Sequence, residues 1–271
     1  ALVQKHFGGW KVPGKAAPAP SFGDPVAPAG AEPANPVGET AVLVEADLPR
    51  SITYATLRPW RKVNDTIVYN QGLMIDAMAQ SVLNDRLERR ARTGGSYLAA
   101  RVEQEDVSRS ADVTQVSIQP IGSDWRKALS EVRALIADAL AEPPTQDEID
   151  KALADMETGY QVFVEQRELM QGGRLADDMV QAFDIRETIA PPETVQDIFQ
   201  RTKPLFTPQA VLQHTRTLFS GVVTRAVAIT PVAGEADAAS LRAALAESVA
   251  ADDDGARGGS ARGLARLRRE P

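Results

Sequence analysis

Between residues 12 and 38 the chain places Pro13, Pro18, Pro20, Pro25, Pro28, Pro33 and Pro36 among alanines and glycines. Proline removes a backbone donor and fixes φ, so this density rules out a helix or a central strand and suits an extended connector. The constraint divides the chain. Residues 1–11 lie on one side and read as the closing turns of a helix that starts outside this sequence, the end of a preceding domain. On the other side a folded unit is expected over 40–232, followed by a helix over 233–250 and a disordered tail over 251–271, where aspartates, glycines and arginines replace the large apolar residues.

The folded unit alternates short β-rich runs with amphipathic stretches. Residues 41–46 and 51–57 read as two strands or one kinked strand. A helix is predicted from Tyr69 to Arg92, with Leu73, Ala77, Gln80, Leu83 and Leu87 at helical spacing. Gly94 and Gly95 stop it, since glycine supplies the left-handed backbone of a C-terminal cap. The segments 97–103 and 111–119 alternate as strands do and should pair antiparallel. Asp124 then caps a helix ending near Ala141. Thr145 and Glu148, just after Pro143-Pro144, make a capping box for a long helix reaching Met170. Three further helices are predicted near 174–187, 193–202 and 208–219, before a last strand over 224–230. This order fits an α+β fold with an antiparallel sheet covered by helices on one face.

The residues that could carry chemistry are few. There are two histidines, His6 and His214, and no cysteine. This excludes disulfides, thiolate catalysis and Cys-ligated zinc, and leaves no His pair one helical turn apart to hold a metal. Ser96 follows a glycine pair but has no strand-to-helix elbow around it and no histidine near it in sequence, so no catalytic residue is assigned. Gly94-Gly95 and Gly172-Gly173 lack the Lys/Ser continuation of a phosphate loop and are read as helix boundaries. Glu103, Glu105, Asp106 and Asp112 could supply an acid/base pair, but charges on a solvated strand face explain them more simply. The net charge of −7 argues against a nucleic-acid partner, and no apolar run is long enough to cross a bilayer.

Several phrases resemble the pitrilysin/insulinase family of zinc peptidases, which includes the mitochondrial processing peptidase. Phe7-Gly8-Gly9-Trp10-Lys11 before a Pro-rich linker is similar to the end of the family's first domain. Leu83-Asn84-Asp85-Arg86-Leu87, Gly94-Gly95-Ser96-Tyr97 and the run from Pro144 to Ala152 are similar to parts of its second, non-zinc domain. The resemblance covers about residues 1–250.

It implies a non-catalytic module that walls a chamber in which peptides are cut. The metal would be held by a His-x-x-Glu-His motif that this sequence does not contain. No cofactor is therefore expected in this chain, and zinc is expected in the intact protein or a partner. The implied partners are a peptide substrate and either the preceding zinc-type domain or a partner peptidase half, and a periplasmic location is implied as well. Arg90 and Tyr97 have the seven-residue spacing of the Arg/Tyr pair with which active members hold substrate. The resemblance thus implies substrate binding for both where the preceding domain is an inactive half; where that domain carries zinc they are a structural echo, a surface Arg and a strand-start Tyr packed on the helix end. An inactive interaction subunit that pairs with a zinc-bearing half, and a non-functional truncated fragment, are the alternatives.

Overall fold

A computed structural model describes residues 2–11, 13, 14, 22–107, 109–185 and 187–251. Part of the proline-rich connector and the expected disordered tail from residue 252 onward lie outside the described residues.

In chain order the elements are α1 (Leu2–Phe7), β1 (Val37–Val44), β2 (Ser51–Pro59), α2 (Ile67–Arg92), β3 (Tyr97–Val107), β4 (Ala111–Pro120), α3 (Trp125–Ala141), α4 (Gln146–Glu165), α5 (Gly172–Ile185), α6 (Pro192–Thr202), α7 (Pro208–Leu218), β5 (Val223–Thr230) and α8 (Ala238–Ala246). The α+β class is as the sequence reading expects. The strands form a five-stranded sheet in the order β1-β5-β2-β4-β3.

One part of the expectation is corrected: the sheet is not wholly antiparallel. β2, β3, β4 and β5 pair antiparallel, but β1 lies parallel to β5. β1 and β2 are consecutive and run in opposite directions, yet β5 is inserted between them. Alternation in the sequence reveals strands but not their order, so a split hairpin closed by a strand from the far end of the chain is invisible at that level. The sheet also starts earlier than expected. Val37 already pairs with Thr224, and Pro36 accepts the Thr224 amide at 2.8 Å. Proline lacks a donor but keeps its carbonyl, so the end of the Pro-rich stretch can join a sheet as an acceptor.

One face of the sheet is covered. Ile52, Tyr54, Val102, Val116, Ile118 and Ala228 pack there against Leu83 and Leu87 of α2, the Trp125–Ala139 face of α3, and Leu241 and Leu245 of α8. The other face presents Ser51, Thr53, Ala55, Gln115, Ser117 and Val227, all partly exposed. A second core lies among the helices. In it Met74, Ile75, Met78 and Ala79 of α2 meet Ile149 of α4, Phe199 of α6 and Val211 of α7.

Because α2 is shared by both cores, its buried positions form a broad band from Met74 to Leu87. The single stripe read from the sequence does not describe it, and Ala77, assigned to that stripe, is exposed. The caps are as predicted. Gly94 takes φ of 100°, the Asp124 side chain accepts the Lys127 amide, and Thr145 and Glu148 exchange both bonds of the capping box. α4 ends at Glu165, with a 3-10 turn over Arg167–Leu169 where the long helix was expected to continue. The C-terminal helix is shorter than 233–250. Gly234 adopts φ of 85°, and the Asp237 side chain accepts the Ser240 amide at 2.8 Å, so the first turn is set only there.

Candidate functional site

A cleft of about 520 Å³ opens where β2 and β3 end and β4 begins, beside the start of α2. Its floor is set by strand register. Arg58 on β2 lies directly across from Asp112 on β4, and Asp112 lies directly across from Asp106 on β3. Like charges facing each other across an antiparallel pair are destabilising. The β3–β4 turn holds them there: Arg109 takes a positive φ of 57° and its amide donates to the Asp106 carboxylate at 3.1 Å, while the Ser110 amide donates to the Val107 carbonyl.

Other segments add charge of the same sign. Asp65 precedes α2, Asp76 lies on its third turn, Glu105 neighbours Asp106, and Glu187 arrives from the segment after α5. Trp60, Val63, Tyr69 and Leu73 give the cleft an apolar side. Two cations reach it, and both have duties elsewhere. Arg61 is tied to Asp24 of the connector at 2.6 and 2.8 Å. Arg58 donates one nitrogen to the Leu218 carbonyl at 2.5 Å, and its other terminal nitrogen, Nη2, is buried without a hydrogen-bond partner.

The carboxyls respond to this crowding. Burial pushes the Asp112 pKa up, Asp106 adds to the effect and Arg58 offsets part of it. Glu187 is raised by burial and by Asp65 and Asp106. Asp76 is raised by burial although His214 bonds it at 2.8 Å. A carboxyl whose folded pKa is raised imposes a cost that is absent below its unfolded value and develops as pH rises toward the folded value. Asp112→Asn should therefore raise the melting temperature at neutral pH, by about 0.5 kcal/mol of stability because the cleft is open to water. The gain should vanish in acid; a loss of stability at neutral pH would contradict this electrostatic account.

The residues weighed from the sequence are distributed as follows. Glu105, Asp106 and Asp112 line the cleft, whereas Glu103 is exposed and pairs with Arg101 at 2.7 Å. The solvated-strand-face reading therefore holds for Glu103 and for Glu105, which is exposed on the same face of β3 at the rim of the cleft, and is corrected for Asp106 and Asp112, which are partly buried on the opposite face. Arg58, Asp65, Asp76 and Glu187 come from separate segments, and no spacing in the sequence links them. The one available signal was the near-symmetric placement of Asp106 and Asp112 about a turn.

His6 lies exposed on α1, and His214 packs between α7 and α2 against Asp76. Gly172 begins α5 as expected of a helix boundary. Ser96 donates its amide to Glu131 at 2.7 Å and its hydroxyl to the same carboxylate. Arg90 pairs with the other oxygen of Glu131. Burial opposes the Glu131 charge, but the Ser96 and Arg90 bonds outweigh it and hold its pKa below the usual value. Tyr97 is fully buried, and its hydroxyl donates to the Leu87 carbonyl at 2.9 Å. Burial, reinforced by Glu131, pushes its pKa up.

No protein-family model and no curated protein matches the sequence. Solved structures do match. The first half of the periplasmic protease PqqL from Escherichia coli superposes with a TM-score of 0.73 at 16% identity, covering 93% of this chain and 54% of that one. The chain has the insulinase-type peptidase fold. A predicted insulinase family protease from Yersinia pestis gives a TM-score of 0.70 at 13% identity over 90% of this chain and 51% of that one. The ferredoxin protease FusC, in complex with Arabidopsis ferredoxin, gives 0.66 at 11% identity over 96% and 28%. The chain thus spans about half, or less, of the length of these proteins.

The zinc implied by the insulinase-type fold does not fit this chain's own residues. Among the described residues, no three His, Cys, Asp or Glu side chains are gathered to hold a metal ion. The fold also brings Arg90 and Tyr97 to one place, the junction of α2 and β3, and commits them to internal bonds with Glu131 and Leu87. In this arrangement the Tyr97 phenol has no surface to offer a substrate. Tyr97→Phe should cost about 1 kcal/mol, because the Leu87 carbonyl loses its buried donor, and should leave peptide binding unchanged. Weakened binding at unchanged stability would instead support a substrate-holding role.

Proposed function

We propose that this chain is a non-catalytic domain of a larger zinc metalloendopeptidase of the insulinase type. It supplies chamber wall and peptide-binding surface, while the zinc is held by another domain of the intact protein or by a partner half. The observation that carries the reading is the match over 93% of this chain to only 54% of the first half of a periplasmic protease, which also favours the periplasm as its location. The partly exposed sheet face and the open acidic cleft support it, because both leave polar side chains accessible to an extended chain.

Two measurements on the chain test this. With added zinc and an unfolded protein substrate, no cleavage is expected; turnover that a chelator abolishes would overturn the non-catalytic assignment. Fluorescence anisotropy with short unstructured peptides should show saturable binding, and the absence of binding by any peptide would overturn the assignment of a peptide-binding wall.

A further inference from the structure

The acidic cleft does not stand alone. A second, apolar groove of about 390 Å³ runs between α5 and the start of α2, lined by Leu175 and Met179 on one side and Ile189, Val195 and Ile198 on the other. The two abut. Asp65 lines both, and Glu187 of the cleft leads directly into Thr188 and Ile189 of the groove. Asp65 also anchors the junction, accepting the Thr188 amide at 2.6 Å and the Asn70 side chain at 2.5 Å. The two concavities are therefore neighbours across Asp65, one acidic and the other largely apolar.

From this juxtaposition, and resting on the peptide-binding reading above, we infer that this pair of concavities selects an extended peptide segment in which a lysine or arginine stands next to a large apolar residue. The cation enters the cleft and the apolar side chain enters the groove. Charge complementarity carries the assignment. Asp106 and Asp112 are held face to face by strand register at a cost that an incoming cation would remove. Glu187 brings a further carboxylate from a different part of the chain to the same space; Arg61 is engaged with Asp24, and Arg58, bonded to the Leu218 carbonyl, offsets only part of the charge on Asp112. Sequence departs from local rules where function demands it, and a register that sets aspartate against aspartate at the mouth of a cleft is such a departure. An acidic or purely polar peptide would meet repulsion at one end and leave the groove unfilled at the other.

The test uses this chain and three fluorescent peptides of identical length: one with a central Lys-Phe, one with Glu-Phe and one with Lys-Ser. The Lys-Phe peptide should bind about tenfold more tightly than either of the others, and its affinity should fall as salt is raised. In the double variant Asp112→Asn, Glu187→Gln the Lys-Phe peptide should weaken about tenfold and lose its advantage over Glu-Phe. Met179→Gln should instead erase its advantage over Lys-Ser. Neutralising Asp112 and Glu187 relieves repulsion, so circular dichroism and the melting temperature should show a fold at least as stable as the parent. Peptides that bind equally well whatever their charge, or a double variant that binds as the parent does, overturn this inference and leave the peptide-binding reading standing. Failure of every peptide to bind overturns both.

Discussion

Replacing Arg86 with Met is expected to destabilise the protein by about 3–5 kcal/mol, an effect large enough to threaten folding. The guanidinium is 3% exposed and binds three oxygens: both of Glu148, at 2.8 and 2.9 Å, and one of Asp138, at 3.3 Å. It therefore joins α2 to α3 and to the first turn of α4. Removing it takes an ion-pair partner from Asp138, which is 1% exposed, and leaves Glu148 with Arg89 at 3.8 Å. Burial works against the Glu148 charge, but the bonds from Arg86 and Thr145 outweigh it and hold the pKa below the ordinary value of 4.5. A depressed carboxylate pKa gives stability that is present above the unfolded value and is lost as pH falls through the folded one. The difference between parent and variant should therefore be widest near neutral pH and shrink in acid. Arg86→Lys should fall between the two, because it keeps the charge but loses the bidentate geometry. Urea denaturation as a function of pH measures all three. An Arg86→Met protein within about 1 kcal/mol of the parent would show that the cluster is not the clamp its geometry describes.

Phe199→Ala is expected to cost about 3–5 kcal/mol through the cavity it leaves. Phe199 is fully buried and packs against Tyr160 at 4.4 Å and Phe206 at 6.0 Å, so it holds α6 and the turn after it onto α4 and α2. The residue belongs to the helical core, whereas Trp125 reports on the core beneath the sheet. Because α2 contributes to both, the two cores should unfold together, and the fluorescence and circular dichroism transitions of the variant should shift by the same amount. Transitions that separate would mean that the helical layer melts on its own.

How much of this was legible in the sequence depended on the range of the interactions involved. The Thr145–Glu148 capping box, the Gly94 stop and the Asp124 cap were readable because a helix end is satisfied by residues three or four positions away. The pairing of β3 with β4 was readable for a related reason, since one short turn joins them. The insertion of β5 between β1 and β2 was not, because those partners lie some 180 residues apart. The band on α2 was misread because helical spacing identifies one apolar face, and this helix serves two cores.

The candidate site divides in the same way. Asp106 and Asp112 could be noticed in the sequence, but only as charges on a strand. Their apposition, and the arrival of Asp65, Asp76 and Glu187, depend on how five segments converge. For Arg90 and Tyr97 the spacing left two readings, substrate contact or packing at the helix end, and the fold gives them Glu131 and Leu87 as partners.

By itself, then, the sequence determined the α+β class, the element order, the caps and the lack of a paired-histidine zinc motif, since each is settled by residue type and short-range spacing. The tertiary structure alone decided the parallel edge strand, the shared helix between two cores, and the acidic cleft beside an apolar groove. Those features come from burial of apolar surface between elements far apart in the chain, and that burial places charges beside one another irrespective of their separation in sequence.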